Sequence, residues 1–205
     1  MKNCLLLFAL FGAAPLAHAQ QEKSLTGKAK ADSLSAEIRW ESERIRESML
    51  LRTKYAKTPD AGGNAKLEAK NGFRTFRLGD DISKYPLLVK RAEVGELKYY
   101  RNPNENRQIV KKQAKYITYC FYKGKLYHVK IQMAEKEDSE DLLMSFVLEY
   151  GNASFSHKQL PWFYWYSNPA TIAFNSHSTK STAEAIIFSN AIYTQKANDA
   201  EEVGK

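Results

Sequence analysis

Two alternating runs joined at a glycine constrain the fold of this chain more than any other feature. Tyr116 to Tyr122 and Lys125 to Met133 alternate with a period of two around Gly124, which predicts a β-hairpin. Most apolar residues of the two strands stand at odd-numbered positions. They lie on the same face of the hairpin only if each odd-numbered residue faces another odd-numbered residue, so that the two residue numbers add to an even sum. We therefore expect a three-residue loop with Gly124 left-handed, which places Tyr119 opposite Tyr127.

A strong helical pattern follows this hairpin. Asp138 or Ser139 begins it, with acidic residues in the first turn, and Gly151 ends it. Further strand patterns lie on both sides of the helix. We predict an α+β domain with a single antiparallel sheet of about five to six strands. One face of the sheet is covered by this main helix, at about 139–150, and an amphipathic N-terminal helix is added.

The N-terminal helix is predicted from a narrow apolar stripe. Leu34, Ile38, Ile45 and Met49 recur at spacings of four and seven, in a pattern that runs to about Tyr55. Such a stripe needs a partner, either the domain or a second copy of the chain, so self-association through this helix is one prediction. In order, we predict a signal peptide at 1–19, a polar segment and the amphipathic helix at 20–57, a linker at 58–71, the α+β domain at 72–195 and a disordered tail at 196–205.

The first nineteen residues have the composition of a secretory signal. Lys2 precedes an apolar run from Leu5 to Leu16, and the ending Ala17-His18-Ala19 favours cleavage before Gln20. The run is shorter than the roughly 20 residues of a transmembrane helix, so we expect no transmembrane segment in the mature chain. Cys4 precedes the run instead of following it, which argues against a lipid anchor. The sequence predicts a periplasmic or secreted protein, cleaved near Ala19-Gln20.

Four short motifs follow one another along the chain: Phe76-Arg77-Leu78-Gly79-Asp80, the segment Tyr119 to Tyr127, Tyr150-Gly151, and Trp165 through Thr171-Ile172. Their order resembles a family of uncharacterised exported bacterial α+β domains. The resemblance covers roughly Gly72 to Tyr193 and implies no assigned activity. More loosely, a predicted strand that ends at Gly79 and is followed by a short helix is similar to the small lipoproteins of the outer-membrane barrel-assembly machinery, whose lipidated cysteine this chain lacks.

Positive charge is concentrated in one stretch of the chain. Between Lys98 and Lys130 there are nine Lys or Arg residues and one acid, Glu105. Such a stripe favours an anionic surface, although a solvated face of a basic protein is the alternative. For an exported protein we expect glycan, lipopolysaccharide or phospholipid, and not nucleic acid, as the anion. The predicted partner surface comprises Tyr116, Tyr122, His128 and Lys130 on the outward face of the hairpin, with the flanking Lys111, Lys112 and Lys115.

One cysteine, Cys120, remains after cleavage of the leader. In the expected register His128 is its diagonal neighbour on the same face, within side-chain reach. A base beside a thiol could generate a nucleophilic thiolate, so a reactive Cys120 is one hypothesis. The alternative is a half-buried strand cysteine beside a surface histidine. His128, His157 and His177 do not have the spacing of a metal site, and no cofactor motif occurs in the sequence.

These observations favour an exported, non-catalytic binding or structural module of the bacterial cell envelope. Its partner would be an envelope protein or an anionic glycan or lipid. One alternative is a small periplasmic hydrolase whose site is assembled from scattered residues without a recognisable motif. A second alternative is an anion-binding protein that uses the basic 98–130 stripe to hold glycan, lipopolysaccharide or phospholipid.

Overall fold

The computed structural model describes residues 27–55, 64–135, 138–157, 161–176 and 183–203. The predicted leader at 1–19, its cleavage point and the first half of the predicted linker at 58–71 lie outside these residues. The helices are α1 (Gly27–Tyr55), α2 (Ala65–Lys70), α3 (Ser139–Tyr150) and α4 (Asn190–Val203), with a short 3₁₀ helix at Ile82–Lys84. The strands are β1 (Gly72–Phe73), β2 (Phe76–Arg77), β3 (Val89–Val94), β4 (Leu97–Arg101), β5 (Gln108–Ile109), β6 (Lys112–Tyr122), β7 (Lys125–Met133), β8 (Phe155–Ser156), β9 (Trp162–Tyr166), β10 (Ala170–Asn175) and β11 (Glu184–Ser189).

The chain divides after Glu37 into two compact units. The described part of the first unit is the beginning of α1, which continues to Tyr55 in the second. The amphipathic helix predicted from Leu34 to about Tyr55 is confirmed. Every contact described below lies within the second unit.

The main sheet of the described residues has nine antiparallel strands, in the order β3-β4-β6-β7-β11-β10-β9-β8, with β5 paired to β6. A separate two-stranded sheet pairs β1 with β2. The α+β class is therefore confirmed, but the prediction of one sheet of five to six strands is wrong. Strands of two residues, such as β5 and β8, are too short to show a period. β3 is exposed along most of its length, and its residues do not alternate regularly between apolar and polar types. The sequence therefore gives no period of two from which this strand could be predicted.

Helices pack against both faces of the sheet, although we predicted that one face would be covered. The predicted helix at 139–150 is confirmed as α3, and Phe146 packs with its ring centroid 5.7 Å from that of Trp165. The opposite face carries α1 from Ile38 onward, together with α4, and Ile45 and Ile192 are buried there. The prediction failed because the hairpin's second face is polar, which in alternation alone indicates solvent. Its covering helix comes from a distant part of the sequence.

The apolar residues of the two hairpin strands share one face, as predicted, but the turn that joins the strands differs from the predicted one. Lys123 and Gly124 both have positive φ, at 48° and 80°, and form a two-residue turn. Next to that turn the numbers of facing residues add to an odd sum, as for Tyr122 opposite Lys125. A β-bulge then leaves Tyr127 without a partner, and beyond it the numbers add to an even sum, as for Cys120 opposite His128. The predicted three-residue loop and the pairing of Tyr119 with Tyr127 are wrong, because Tyr119 faces Val129.

The C-terminal segment forms the helix α4 where we expected the end of the domain at 195 and a disordered tail at 196–205. β11 ends at Ser189, whose side-chain oxygen accepts a hydrogen bond from the Ile192 N–H at 3.3 Å, as at a helix N-cap. The adjacent Asn190 is buried and ties the helix start to β10 and to the loop between β9 and β10. Its amide oxygen accepts from Thr171 Oγ1 at 2.8 Å, and its Nδ2 donates to the carbonyls of Ser167 and Asn168.

Candidate functional site

A cleft of about 280 Å³ opens where β4 ends beside the longer strand β6. β4 pairs with β6 only from Tyr119 to Tyr122, so the earlier part of β6 extends past the end of β4. Cationic and polar side chains line the cleft that this difference in strand length leaves open. We call this site the basic cleft, and it is lined by Arg91, Arg101, Asn102, Pro103, Glu105, Arg107, Lys115, Tyr116 and Ile117.

The loop after β4 is held in place by its own backbone. The Asn102 side-chain oxygen accepts from the Asn104 N–H at 3.0 Å, and the Asn102 carbonyl accepts from the Glu105 N–H at 3.2 Å. These are the contacts of an asparagine-initiated turn. Further on, the Arg107 carbonyl accepts from the Ala114 N–H at 2.8 Å. The loop is thus anchored on both sides of the cleft.

A β-bulge on the edge strand places Arg91 in the cleft. The register between β3 and β4 shifts between Lys90 and Ala92, so Arg91 has no partner on β4. An extra residue of this kind redirects a side chain relative to the regular pleat. On the same strand Val89 lies directly opposite Arg101. The edge strand therefore contributes both a cation and an apolar neighbour to this region.

Arg101 is the central cation of the cleft. Its guanidinium carbon lies 3.9 Å from the centroid of the Tyr116 ring, a cation–π contact, and the Lys115 Nζ lies 5.5 Å from the same ring. The Arg101 Nε is buried and has no hydrogen-bond partner among the described residues. A buried donor without an acceptor costs about 1–3 kcal/mol, so an oxygen supplied by a ligand would stabilise this group.

The carboxylate of the cleft is already neutralised by other groups. Glu105 Oε1 lies 2.7 Å from Arg74 Nη1, and Glu105 Oε2 accepts from the Tyr119 hydroxyl at 2.7 Å. Burial, followed by the hydrogen bond to Glu105, raises the pKa of Tyr119 well above its ordinary value. Arg74 is outside the cleft lining, so Glu105 does not cancel the charge of the four lining cations.

The arrangement suits the binding of an anion. Guanidinium groups donate two parallel hydrogen bonds to phosphate or carboxylate, and three of the four cations here are arginines. Metal chemistry receives no support from the same region, because no group of three or more His, Cys, Asp or Glu that could hold a metal ion occurs among the described residues.

A second charged cluster lies beneath α1, in the interior. Glu41 on the helix is buried, with Oε1 3.0 Å from Lys130 Nζ and Oε2 3.4 Å from His128 Nε2. Glu184 Oε2 lies 3.8 Å from the same lysine nitrogen. Burial acts to raise the pKa of Glu41, but the contact with His128 and the charge of Lys130 lower it to about 2. This cluster joins α1 to β7 across 89 residues of sequence.

The cavity next to this cluster is small. Its volume is about 10 Å³, and Trp40, Arg44, Asn175 and Glu184 are among the residues that line it. That volume is close to the minimum for one water molecule. The cluster is therefore better described as a structural contact of α1 than as a ligand site.

The predicted partner surface is divided among three places. Tyr116 and Lys115 line the basic cleft. Lys111 is exposed in the turn between β5 and β6, and Lys112 pairs with Asp138 at 3.1 Å. The other three residues of that prediction are covered by helices. Tyr122 donates to Asp199 of α4 at 2.6 Å, and His128 and Lys130 lie buried under α1.

Sequence reasoning did not single out Arg91 or Arg101. Arg101 belongs to the basic 98–130 stripe, and the turn-rich Asn102-Pro103-Asn104 after it was visible, so its place beside a loop could have been noticed. No signal in the sequence marks the bulge at Arg91. The apolar stripe of α1, for which a second copy was one predicted partner, is in part occupied within the chain, since Ile38 and Ile45 are buried.

Cys120 is inaccessible in this structure. It is 0% exposed and lies directly opposite His128, not diagonal to it as we expected. Burial raises the pKa of its thiol well above the ordinary value, and the negative charge of Glu41 acts in the same direction. The thiol is therefore protonated at neutral pH, and the geometry does not support the hypothesis of a reactive Cys120.

The fold and the cleft define an α+β protein with a cationic site. No protein-family model, curated protein or solved structure matches the chain. The resemblance to exported bacterial domains remains a prediction from the motifs. Among the described residues, no helix has both the length and the apolar character needed to cross a bilayer.

Proposed function

We propose that this protein is an exported binding module of the cell envelope that holds an anionic ligand in the basic cleft. The observation that carries the proposal is the state of Arg101, whose buried Nε has no partner among the described residues while three further cations line the same space. An anion with several oxygen atoms would satisfy that donor and neutralise part of the charge. Export is proposed from the leader sequence alone.

The geometry favours binding over hydrolysis. An enzyme is expected to place carboxylates or other groups of shifted pKa in its cleft. Glu41, whose pKa is lowered to about 2, lies on α1 against β7 and does not line the cleft. The carboxylate of the cleft, Glu105, is engaged by Arg74 and Tyr119. No observation specifically favours the hydrolase alternative.

The test is a calorimetric titration of the processed chain, residues 20–205, with pyrophosphate at low salt. Pyrophosphate is a soluble anion with two phosphoryl groups and needs no membrane. We expect Arg101→Gln to weaken its binding about ten-fold, because one charge-assisted interaction with phosphate is lost. Arg46→Gln is the matched control, since Arg46 is exposed on α1 and does not line the cleft.

The two variants lose the same positive charge, so their difference reports the cleft and not the net charge of the protein. Binding that is unchanged by Arg46→Gln and weakened by Arg101→Gln supports the proposal. The proposal is overturned if the wild-type chain does not bind pyrophosphate, or if both variants lose affinity equally.

A further inference from the structure

Exposed apolar side chains lie beside the basic cleft. Leu87 is 63% exposed and Val89 is 43% exposed, on the segment that leads into the edge strand. Because Val89 faces Arg101 directly across the strand pair, their side chains project from the same face, about 5 Å apart at their Cβ atoms. Tyr116, a further exposed large side chain, lines the cleft itself.

Single exposed apolar residues are ordinary, but their combination with a cationic cleft indicates a particular kind of surface. Membrane-surface sites join apolar side chains, which enter the boundary of the acyl chains, to Lys and Arg residues that meet anionic headgroups. Tyrosine is also favoured at that boundary, where its ring is apolar and its hydroxyl is hydrated. Val89, Tyr116 and the cleft cations supply these elements side by side, and Leu87 lies two residues before Val89 along the chain.

We propose that the basic cleft binds the phosphate of an anionic phospholipid headgroup while Leu87 and Val89 enter the bilayer interface. This inference rests on the proposed function and names its ligand. Charge complementarity favours a lipid surface, because three of the four cations that line the cleft, Arg91, Arg107 and Lys115, are exposed and can meet anionic headgroups. The apolar rim distinguishes a lipid from a free phosphate, which would gain nothing from Leu87.

The experiment is co-sedimentation of the processed chain with vesicles of phosphatidylcholine, with and without phosphatidylglycerol. We expect binding to the phosphatidylglycerol vesicles that weakens with added salt, and little binding to phosphatidylcholine alone. Leu87→Ser together with Val89→Thr should lower the affinity for the anionic vesicles about ten-fold, since two apolar side chains no longer leave water. Both positions are exposed, so the fold does not depend on them.

Val94→Thr is the matched control for the rim. Val94 is on the same strand, at its opposite end, and is also 43% exposed. We expect this variant to bind anionic vesicles like the wild type. Equal losses from Val94→Thr and from the rim variants would overturn the assignment of the rim, and equal binding to both kinds of vesicle would overturn the role of the headgroup charge.

The vesicle and pyrophosphate measurements separate the two proposals. If pyrophosphate binds through Arg101 but anionic vesicles are not retained, the anion site stands and the lipid assignment is wrong. If neither binds, both proposals fail. Vesicle binding that survives Arg101→Gln but is lost with the rim variants would also overturn the inference, because the headgroup would then not occupy the cleft.

Discussion

Replacement of Glu41 by Gln tests how the buried charges hold α1 against the sheet. The substitution keeps the size of the side chain and removes its charge, so the buried Lys130 loses the ion pair with Glu41 and keeps the one with Glu184 at 3.8 Å. Breaking one member of a buried pair destabilises a protein because the other charge stays out of water. We therefore expect Glu41→Gln to lower the free energy of unfolding near neutral pH.

The magnitude follows from the pKa of Glu41. Its fall from 4.5 to about 2 on folding corresponds to about 3 kcal/mol of stabilisation of the ionised form. The pKa is lower in the folded protein, so this stabilisation is complete above pH 4.5 and is lost as the pH falls toward 2. The charged and titratable groups around Glu41 are Lys130 and His128 on β7, Glu184 on β11, Tyr99 on β4 and Cys120 on β6.

The assay is urea unfolding of the wild type and of Glu41→Gln over a series of pH values. The difference in unfolding free energy between them should be largest near neutral pH and should narrow as the pH falls from 4.5 toward 2. Glu43→Gln on the exposed side of the same helix is the control and should change stability little. A difference that does not vary with pH would refute the reasoning, as would a Glu41→Gln variant as stable as the wild type at neutral pH.

Two further predictions concern groups in the interior. Asn190→Ala leaves Thr171 Oγ1 and two loop carbonyls without their partner, so we expect a loss of about 2–4 kcal/mol in urea unfolding; a variant as stable as the wild type would contradict the structural role of Asn190. Cys120, at 0% exposure and with a raised pKa, should react with an alkylating reagent far more slowly in the native protein than after unfolding. Native-state alkylation as fast as that of a free thiol would show that the strand is accessible.

Local signals predicted the elements that depend on neighbouring residues. The helix α3 ends at Gly151, whose φ of 83° favours glycine, and its apolar face is periodic enough to be read directly. The hairpin was predicted for the same reason. The register of the hairpin was not predicted. A two-residue turn followed by the bulge at Tyr127 puts the apolar residues on one face, as a three-residue loop would, and alternation of residue types alone does not distinguish the two arrangements.

The candidate site was predicted only in part. The charge excess between Lys98 and Lys130 pointed to an anion, and Tyr116 and Lys115 do line the cleft. The pattern could not show that His128 and Lys130 would be covered, because their partner Glu41 is 89 residues away from Lys130. It also could not show that a bulge would bring Arg91 to the end of β4.

By itself, the order of amino acids determined the α+β class, the two amphipathic helices and a concentration of positive charge in one stretch, since each arises from interactions between residues near one another along the chain. The tertiary structure alone decided which polar face would be buried and which cations would share a cleft. Both outcomes depend on pairings between distant segments, and a period of two or of 3.6 residues carries no information about which distant segment will supply the partner.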